Sequence, residues 1–401
     1  MKKLQTLYKI DTKGKLREWT MVIEDACFYA IKGLTGGKLT EDKPRCAEAK
    51  NVGKANATTP QEQAEKEAQA KWQKKLDKDY ALTEEDAHEK KFYEPMLAQK
   101  FEDRKDDLVY PVFSQPKLDG IRCIIQRKDT HEEISSIDDV VLVAKTRNGK
   151  IIEAIPHILS KLKGFFIQHP SAVLDGELYN HDLKYNFNKI TSLVRKQQPV
   201  RLETDTDVSF AKKETDFYEA LEESAQLIQY WLYDAPQLDS FKEDSSFFLR
   251  FDQLSFAFDG VESIVVVPTT EVRDEGVLTA IYENYLSEGY EGQMVRTNAS
   301  YENKRSKHLL KRKEFQDAEY RVIDIDEGNG NRLGTAKHLV LWCDNKKTQF
   351  NSNIKGSFEY LGEILKNKEE YIGKKATIRF FQLTPDGIPR FPYAVGFRDY
   401  E

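Results

Sequence analysis

The chain has 401 residues, 39% of them hydrophobic and 11% aromatic, which is enough for two or three domains with substantial cores. No segment approaches the roughly 18 apolar residues of a membrane span, and the N-terminal MKKLQTLYKIDTKGK lacks the apolar stretch of a signal peptide. The net charge of −6 argues against a wholly basic nucleic-acid binder, although residues 303–313 hold six Lys or Arg and no acid. None of the four cysteines forms a C-x-x-C pair, so we expect no zinc ribbon, no disulfide framework and a cytoplasmic location.

Short strands separated by glycine turns are predicted at the N-terminus, in LYKID, REWTMVIE and CFYAIKGL. A helix follows, with Thr59 as its N-cap, Pro60 at its first position and Glu62 completing a capping box. We therefore predict a small α+β module over residues 1–88.

The central region, residues 89–314, alternates apolar strands with helices. Two strands, VYPVFSQPKL and GIRCIIQR, flank an Asp-Gly turn, and AVLDGELYN predicts a second strand-turn-strand segment. AIPHILSKLKGFF and DFYEALEESAQLIQYWLYD have helical periodicity, and the latter runs into a strand. Antiparallel sheets with flanking helices are expected here.

Residues 315–401 change to short strands with polar turns, as in YRVIDIDEGNGNR, HLVLWCD and KKATIRFFQLT. This pattern favours a small β-barrel, and an OB-fold is the natural candidate. The whole chain is thus predicted to be of the α+β class.

Lys117 stands before the first Asp-Gly, in QPKLDGIR. A free lysine has a pKa of about 10.4, so neutralising it at pH 7 costs roughly 4.6 kcal/mol. Burial, neighbouring cations or a metal lower that cost. Taken alone, K-x-D-G fits a solvated lysine beside a turn better than it fits a nucleophile.

Complementary chemical groups follow downstream in a fixed order. Each alone has an ordinary explanation as a solvated or core residue, but together they offer a nucleophile, carboxylates for a divalent metal, an aromatic platform and cations for phosphates. That set suits nucleotidyl transfer. The groups are TRNGK (146–150), Glu177 in LDGELY, Tyr233 in LYDA, Glu291 in EGQMVR, Lys311 and Lys313 on one strand face of KHLLKRK, and Arg390 and Arg398 in IPRFPYAVGFRD.

The ordered series resembles the motifs of the covalent nucleotidyltransferase superfamily, and within it the compact, viral or phage-like ATP-dependent DNA ligases. KLDGIR resembles motif I, TRNGK motif Ia, LDGEL motif III, LYDA motif IIIa, EGQMVR motif IV, LLKRK motif V and PRFPYAVGFRD motif VI. The match covers roughly residues 92–401. Single motifs of this kind are weak signals, whereas an ordered set is specific.

The resemblance implies that Lys117 attacks the α-phosphorus of ATP and forms a lysyl-AMP intermediate. AMP then passes to the 5′-phosphate of nicked duplex DNA, and the 3′-hydroxyl displaces it. Mg²⁺, or Mn²⁺ as a substitute, would be held by Glu177 and Glu291. We expect a monomer, in the host cytoplasm if the source is viral.

The remaining implied contacts fall into two groups. Besides Lys117, nucleotide contacts are implied for Gln115 (adenine amino group), Tyr233 (adenine stacking), Glu177 (ribose), Lys311 and Lys313 (α-phosphate), Arg398 (pyrophosphate), and Pro116, Leu118, Arg122 and Arg147. DNA contacts are implied for Asp119, Arg122 and Arg147.

The stretch AKNVGKANATTPQEQA in the N-terminal module resembles WGR-type modules, although the W-G-R triplet is absent. The resemblance implies DNA binding, with Lys50, Lys54, Trp72, Lys74 and Lys75 as candidate contacts. A small domain with an ordinary charged helix face remains an equal alternative.

Other functions remain open from the sequence. An mRNA-capping guanylyltransferase shares the lysine, the carboxylates and the OB domain but uses GTP, and Gln115 and the PRFP ending argue against it. The C-terminal motif VI argues against an RNA ligase. An NAD-dependent ligase needs an upstream domain that is not visible. A catalytically dead DNA-end-binding protein is disfavoured because Lys117 and Glu291 are present.

Overall fold

The computed structural model describes residues 1–11, 13–53, 57–77, 80–88, 92–128, 136–201, 206–237, 245–343 and 348–398. Its contacts divide the chain into two units, one of Met1–Lys91 with Phe315–Glu401 and one of Phe92–Glu314. Within the described ranges, no helix is both long and apolar enough to cross a membrane.

The N-terminal segment is an antiparallel sheet covered by one helix, α1 (Pro60–Leu76). The predicted capping box is confirmed, because the Thr59 side chain accepts from the backbone N–H of Glu62 and the Glu62 carboxylate accepts from the backbone of Thr59 at 2.8 Å. The strands are β1 (Lys2–Lys3), β2 (Leu7–Ile10), β3 (Leu16–Glu24), β4 (Cys27–Leu34), β5 (Leu39–Glu41) and β6 (Arg45–Cys46).

The expectation of no disulfide is wrong. Cys27 and Cys46 are paired residues of β4 and β6, and they form a disulfide. Their spacing carries no recognisable motif, because the pairing depends on β6 folding back beside β4. The other two cysteines, Cys123 and Cys343, are free and buried.

The central unit contains two five-stranded sheets, ordered β10-β9-β11-β12-β13 and β14-β8-β15-β16-β7. Its strands are β7 (Leu97–Lys100), β8 (Val112–Lys117), β9 (Ile121–Arg127), β10 (Leu142–Thr146), β11 (Val173–Tyr179), β12 (Gln229–Gln237), β13 (Ile264–Val266), β14 (Thr270–Val272), β15 (Gly292–Thr297) and β16 (Arg305–Lys313). Its helices are α2 (Pro156–Gln168), α3 (Phe187–Val194), α4 (Asp207–Leu227), α5 (Phe247–Ala257) and α6 (Glu275–Ser287).

The two Asp-Gly pairs behave differently from each other. Asp119–Gly120 is a turn, but the strands it joins, β8 and β9, belong to different sheets and do not pair with each other. Asp175–Gly176 lies inside the single strand β11, so the predicted strand-turn-strand is wrong there. Partners on both sides, β9 and β12, keep β11 extended, and its register with β12 shifts at this point. A side chain at Gly176 would put its Cβ 2.5 Å from the Trp231 carbonyl oxygen, so glycine is required.

The C-terminal segment contains the expected closed barrel, with strand order β17-β18-β19-β21-β20. Its strands are β17 (Gln316–Glu327), β18 (Ala336–Trp342), β19 (Gln349–Ile354), β20 (Lys375–Phe380) and β21 (Tyr393–Arg398), with helices α7 (Phe358–Lys366) and α8 (Lys368–Tyr371). Tyr320, Val322, Leu339 and Ile378 are among the side chains that fill it. The helix between β19 and β20 makes the barrel OB-like.

A buried ion cluster ties α5 to the sheets of the central unit. Asp234 on β12 has no exposed surface and accepts from Arg250 on α5 through two bonds, of 2.7 and 3.0 Å. The same carboxylate accepts from Arg296 on β15 at 3.0 Å. Because the charges are desolvated, each depends on its partners.

Removing Arg250 should therefore destabilise the central unit strongly. We expect Arg250→Met to lower the free energy of unfolding by about 3 kcal/mol, because it leaves Asp234 undercompensated in the interior. The control is Arg273→Met, which breaks the exposed Arg273–Glu271 pair and should have no measurable effect. Urea titration followed by tryptophan fluorescence measures both, and equal midpoints for the two variants would contradict the account.

Candidate active site

One face of three neighbouring strands forms a regular array of side chains that we call the floor. The strand register aligns residues of β8, β15 and β16 in three rows, and their side chains alternate with those of the opposite face. The opposite face, with Val112, Val295 and Leu310, packs in a separate apolar cluster that includes Leu278 of α6. The rows of the floor are Lys117–Gly292–Lys313, Gln115–Met294–Lys311 and Phe113–Arg296–Leu309.

The first row leaves room for one carboxylate between two ammonium groups. A Cβ at Gly292 would lie 2.2 Å from the Arg312 carbonyl oxygen, so the middle position has no side chain. Glu291 precedes it and is hydrogen-bonded through its backbone N–H to the Lys117 carbonyl oxygen at 3.0 Å. Its carboxylate accepts from Lys117 Nζ and, at 3.0 Å, from Lys313 Nζ. The glycine and the register together create this bridge.

A second group of side chains comes from the other sheet. The Tyr233 hydroxyl donates to Glu177 at 2.6 Å, and the Arg122 guanidinium lies 5.0 Å from the centroid of the Tyr233 ring. Arg122 donates to both oxygens of Asp175 at 2.5 Å, and the Tyr301 hydroxyl donates to the same carboxylate at 2.7 Å. Asp175 therefore orients Arg122 beside the aromatic ring.

Burial and charge shift the pKa values of these groups. Burial opposes the charged form of Lys117, but the Glu291 carboxylate outweighs it, and the pKa of Lys117 is raised. Burial likewise acts against the Glu291 charge, yet Lys117 and Lys313 lower its pKa. Burial raises the pKa of Glu177 to about 7. Burial, followed by repulsion from Lys117 and Lys313, lowers the pKa of Lys311. In this state Lys117 is a charged ammonium and not a nucleophile.

A cavity of about 200 Å³ collects many of the predicted residues. Those lining it are Lys117, Leu118, Arg122, Arg147, Glu177, Tyr233 and Lys311. A larger cavity, of about 840 Å³, lies along α2 and α5, and none of the predicted site residues lines it. The smaller cavity is therefore the candidate active site, because seven of the predicted residues line it.

The other predicted residues lie behind this lining or elsewhere. Gln115 is fully buried and contacts Tyr233 and Arg296, and Pro116 points to the opposite face of the floor. Asp119 follows in the turn and adds to the field at Lys117. Arg398 belongs to the barrel, where it donates to Thr377 at 2.8 Å and pairs with Glu319 at 3.1 Å.

Three of the candidate DNA contacts of the N-terminal segment have partners of their own. Lys50 pairs with Glu67 at 3.0 Å, and the indole N–H of Trp72 donates to the Gln5 carbonyl oxygen at 2.7 Å. Lys75 lies 4.9 Å from the Tyr80 ring centroid, and Lys74 is exposed. Lys54 lies outside the described residues. Trp72 thus packs against the N-terminal core.

Sequence reasoning missed six residues that line the cavity. Met294 and Arg296 alternate with Val295 on β15, and this period-two spacing was a usable signal. Arg305 lies in the basic stretch that the charge pattern had singled out. The remaining three residues, Leu97, Ala98 and Leu309, carried no signal of their own.

Comparisons with known proteins point to one family. A family model described as the ATP dependent DNA ligase domain matches residues 95–313. The DNA ligase of African swine fever virus is 28% identical over 386 residues, covering 88% of this chain and 79% of the relative. The DNA ligase of Enterobacteria phage T4 is 24% identical over 305 residues, covering 70% of this chain and 62% of the relative.

Solved structures support the fold. A Lig E DNA ligase superposes with a TM-score of 0.55 at 22% identity, covering 76% of this chain and 99% of that one. The structure named Pmar-Lig_PreS3 superposes with a TM-score of 0.59 at 18% identity, covering 83% of this chain and 71% of that one. Because the matched domain spans more than half of the residues and contains Lys117, Glu177, Glu291 and Lys311, the chain belongs to the ATP-dependent DNA ligase family.

Proposed function

We propose that this ligase seals 3′-hydroxyl/5′-phosphate nicks in duplex DNA through a lysyl-AMP intermediate on Lys117. The observation that carries the proposal is the first row of the floor, where Lys117 and Lys313 share the Glu291 carboxylate beside a cation-lined cavity. The family match favours a DNA ligase over the capping enzyme and the RNA ligase that the sequence left open.

In the first step, Nζ of Lys117 attacks the α-phosphorus of ATP and pyrophosphate leaves. The amine must first lose its proton to water, which the raised pKa of Lys117 opposes while Glu291 contacts it. Lys117 becomes a better nucleophile once Glu291 turns to another partner, because that carboxylate is what raises the lysine pKa. The resting ion pair thus keeps the lysine unreactive until ATP arrives.

Three cations are suited to bind the phosphates. Lys311 and Lys313 project from the same face of β16, and Arg147 lines the cavity beside them. Burial and, after it, repulsion from neighbouring cations lower the pKa of Lys311. An incoming phosphate relieves that repulsion, which makes phosphate binding favourable here. A forked guanidinium such as that of Arg147 suits a terminal phosphate, including the DNA 5′-phosphate.

The donor set fits a divalent cation of the magnesium type. Glu291 and Glu177 provide hard oxygen ligands, and Mg²⁺ commonly takes one or two carboxylates together with phosphate oxygens and water. When bound, the ion supplies positive charge that offsets the charge of the phosphates. Its identity as Mg²⁺ or Mn²⁺ is part of this proposal.

Tyr233 and Glu177 suit the nucleoside. Tyr233 presents an aromatic ring in the cavity wall, and its hydroxyl holds Glu177, which we assign to the ribose hydroxyls. At the nick, Asp119 and Arg122 would contact the strand ends. Arg398 on the barrel would bind pyrophosphate, which requires it to leave its present partners, Thr377 and Glu319. A monomeric state and a cytoplasmic location also remain proposals.

Replacing Lys117 tests the nucleophile. We expect Lys117→Ala to abolish transfer of label from α-labelled ATP to the protein, because the variant lacks the amine that we assign as the attacking group. The fold should persist, since Lys117 is partly exposed. Lys161→Ala is the control, because Lys161 pairs with the exposed Glu262 and does not line this cavity. Acid-labile label retained by the Lys117 variant would refute the assignment.

The ionisation of Glu177 gives a second test. Its folded-state pKa of about 7 lies above the ordinary value of 4.5, so its ionisation opposes folding. The penalty is absent below about pH 4.5 and complete above pH 7. We therefore expect Glu177→Gln to gain stability relative to the parent from about pH 5 to pH 7, by up to about 1.4 kcal/mol per pH unit, and the difference to level off above pH 7.

Denaturant titrations at several pH values measure this difference. The same variant should label poorly with ATP, because the ribose contact and a metal ligand are weakened. A stability difference that does not vary with pH would show that Glu177 does not titrate in this window.

The N-terminal module is proposed to bind DNA. Lys74 is exposed in the last turn of α1, so we expect Lys74→Glu to weaken binding to nicked duplex severalfold at low salt. The slope of log K against log salt should fall by about one, as for one lost phosphate contact. Lys74→Gln should have a smaller effect. Labelling of Lys117 should be unchanged, and unaltered DNA binding by both variants would argue for the ordinary charged surface.

A further inference from the structure

The amide of Gln115 is held in one orientation by its neighbours. Its Nε2 donates to Thr269 Oγ1 at 2.9 Å and to the Tyr233 carbonyl oxygen at 3.4 Å, while its Oε1 accepts from Arg296 Nε at 2.8 Å. Arginine can only donate, so the orientation with the oxygen toward Arg296 is favoured, and the Nε2 bond to Thr269 favours the same orientation. The hydroxyl of Thr269 donates to the Val267 carbonyl oxygen at 2.9 Å, so toward Gln115 it can only accept.

This arrangement leaves the amide with a single unused hydrogen-bonding position. Both protons of Nε2 have acceptors, and one lone pair of Oε1 is taken by Arg296. A carbonyl oxygen has two lone pairs, so one acceptor position remains on Oε1 among the described residues. Gln115 has no exposed surface, but Tyr233 and Arg296, which both contact it, line the cavity. The Gln115 amide therefore lies directly behind the cavity wall.

Arg296 is itself fixed, so the hydrogen bond with which it orients the Gln115 amide is held in place. Its Nη1 donates to Asp234 at 3.0 Å, and Asp234 is held by Arg250. The guanidinium also lies 4.9 Å from the centroid of the Phe247 ring. With 3% of its surface exposed, Arg296 cannot rotate away from Gln115 without breaking the buried cluster.

We propose that Arg296 and Thr269 are positioning residues that make the base site select a 6-amino purine over a 6-oxo purine. The 6-amino group of adenine is a donor and can use the free lone pair of Oε1. The 6-oxo group of guanine or hypoxanthine is an acceptor, so it cannot form a hydrogen bond with the free lone pair of Oε1, which is also an acceptor. A glutamine not held by Arg296 and Thr269 could turn its amide and donate from Nε2 to the 6-oxo group. The hydrogen bonds with these two residues prevent this, and we call them the lock. The inference rests on the proposed function, because it assumes that the purine of ATP occupies this cavity.

The test compares purines that differ only at position 6. Thr269→Val removes the acceptor for Nε2 with nearly the same side-chain shape. We measure transfer of label to full-length protein from α-labelled ATP, ITP and purine riboside triphosphate, which carries hydrogen at position 6. Binding of AMP and IMP by calorimetry gives a readout that does not depend on catalysis.

For Thr269→Val we expect the preference for ATP over ITP, and for AMP over IMP, to fall roughly tenfold, the value of about one buried hydrogen bond. Labelling with purine riboside triphosphate should change no more in Thr269→Val than it does in the control variant, Ser114→Ala. Ser114 precedes Gln115 on β8, is equally buried, and bonds Gln293 on the opposite face at 2.9 Å.

A second variant separates orientation from simple loss of packing. In the Gln115→Glu background both ends of the side chain are oxygen, so orientation no longer matters. In this background, Thr269→Val should change the ratio of labelling from ATP to labelling from ITP by less than about twofold. An unchanged ratio in the parent background, or an equal loss with all three nucleotides, would overturn the lock. Failure of the unaltered chain to take label from ATP would instead overturn the proposed function and, with it, this inference.

Discussion

The Glu291 carboxylate, shared between Lys117 and Lys313, is the interaction on which the site depends. It exists because β8, β15 and β16 pair in one register and because Gly292 leaves the space between the two lysines empty. A slip of one residue in that register would move the floor side chains to the face that packs against apolar neighbours. The same backbone hydrogen bonds that build the sheet therefore assemble the charges, and the buried carboxylate is stable only because two ammonium groups compensate it.

The site holds groups in states that are unfavourable for folding. Glu177 is 8% exposed, and desolvation of its charged form raises its pKa to about 7. Lys311 is likewise a cation among cations. Such local costs are usual at catalytic sites and are offset elsewhere in the fold. The apolar core on the far side of β9 and β11, with Ile125 and Leu174, is one place where that offset arises.

Local signals in the sequence were enough for much of the fold. The capping box of α1, the periodicity of α2 and α4 and the barrel strands were all predicted from neighbouring residues, and the spacing of Lys311 and Lys313 placed both on one face. The errors involve contacts between distant segments. Asp175–Gly176 looks like a turn but is extended because β9 and β12 pair on either side, and the Cys27–Cys46 bond follows from strand pairing. The role of Arg296 depends on Asp234, 62 residues away.

The Asp234 carboxylate joins the scaffold to base recognition. One of its oxygens accepts from Arg250, which anchors α5, and the other accepts from both Arg250 and Arg296. Arg296 in turn fixes the amide of Gln115. The packing of α5 and the orientation of that amide are therefore not independent, because both are determined by one buried carboxylate. Buried polar networks of this kind contribute less to net stability than well-packed apolar side chains, but they admit one arrangement and exclude the alternatives. For a side chain whose two ends differ only in donating or accepting a hydrogen bond, excluding the alternative is what a specific base site requires.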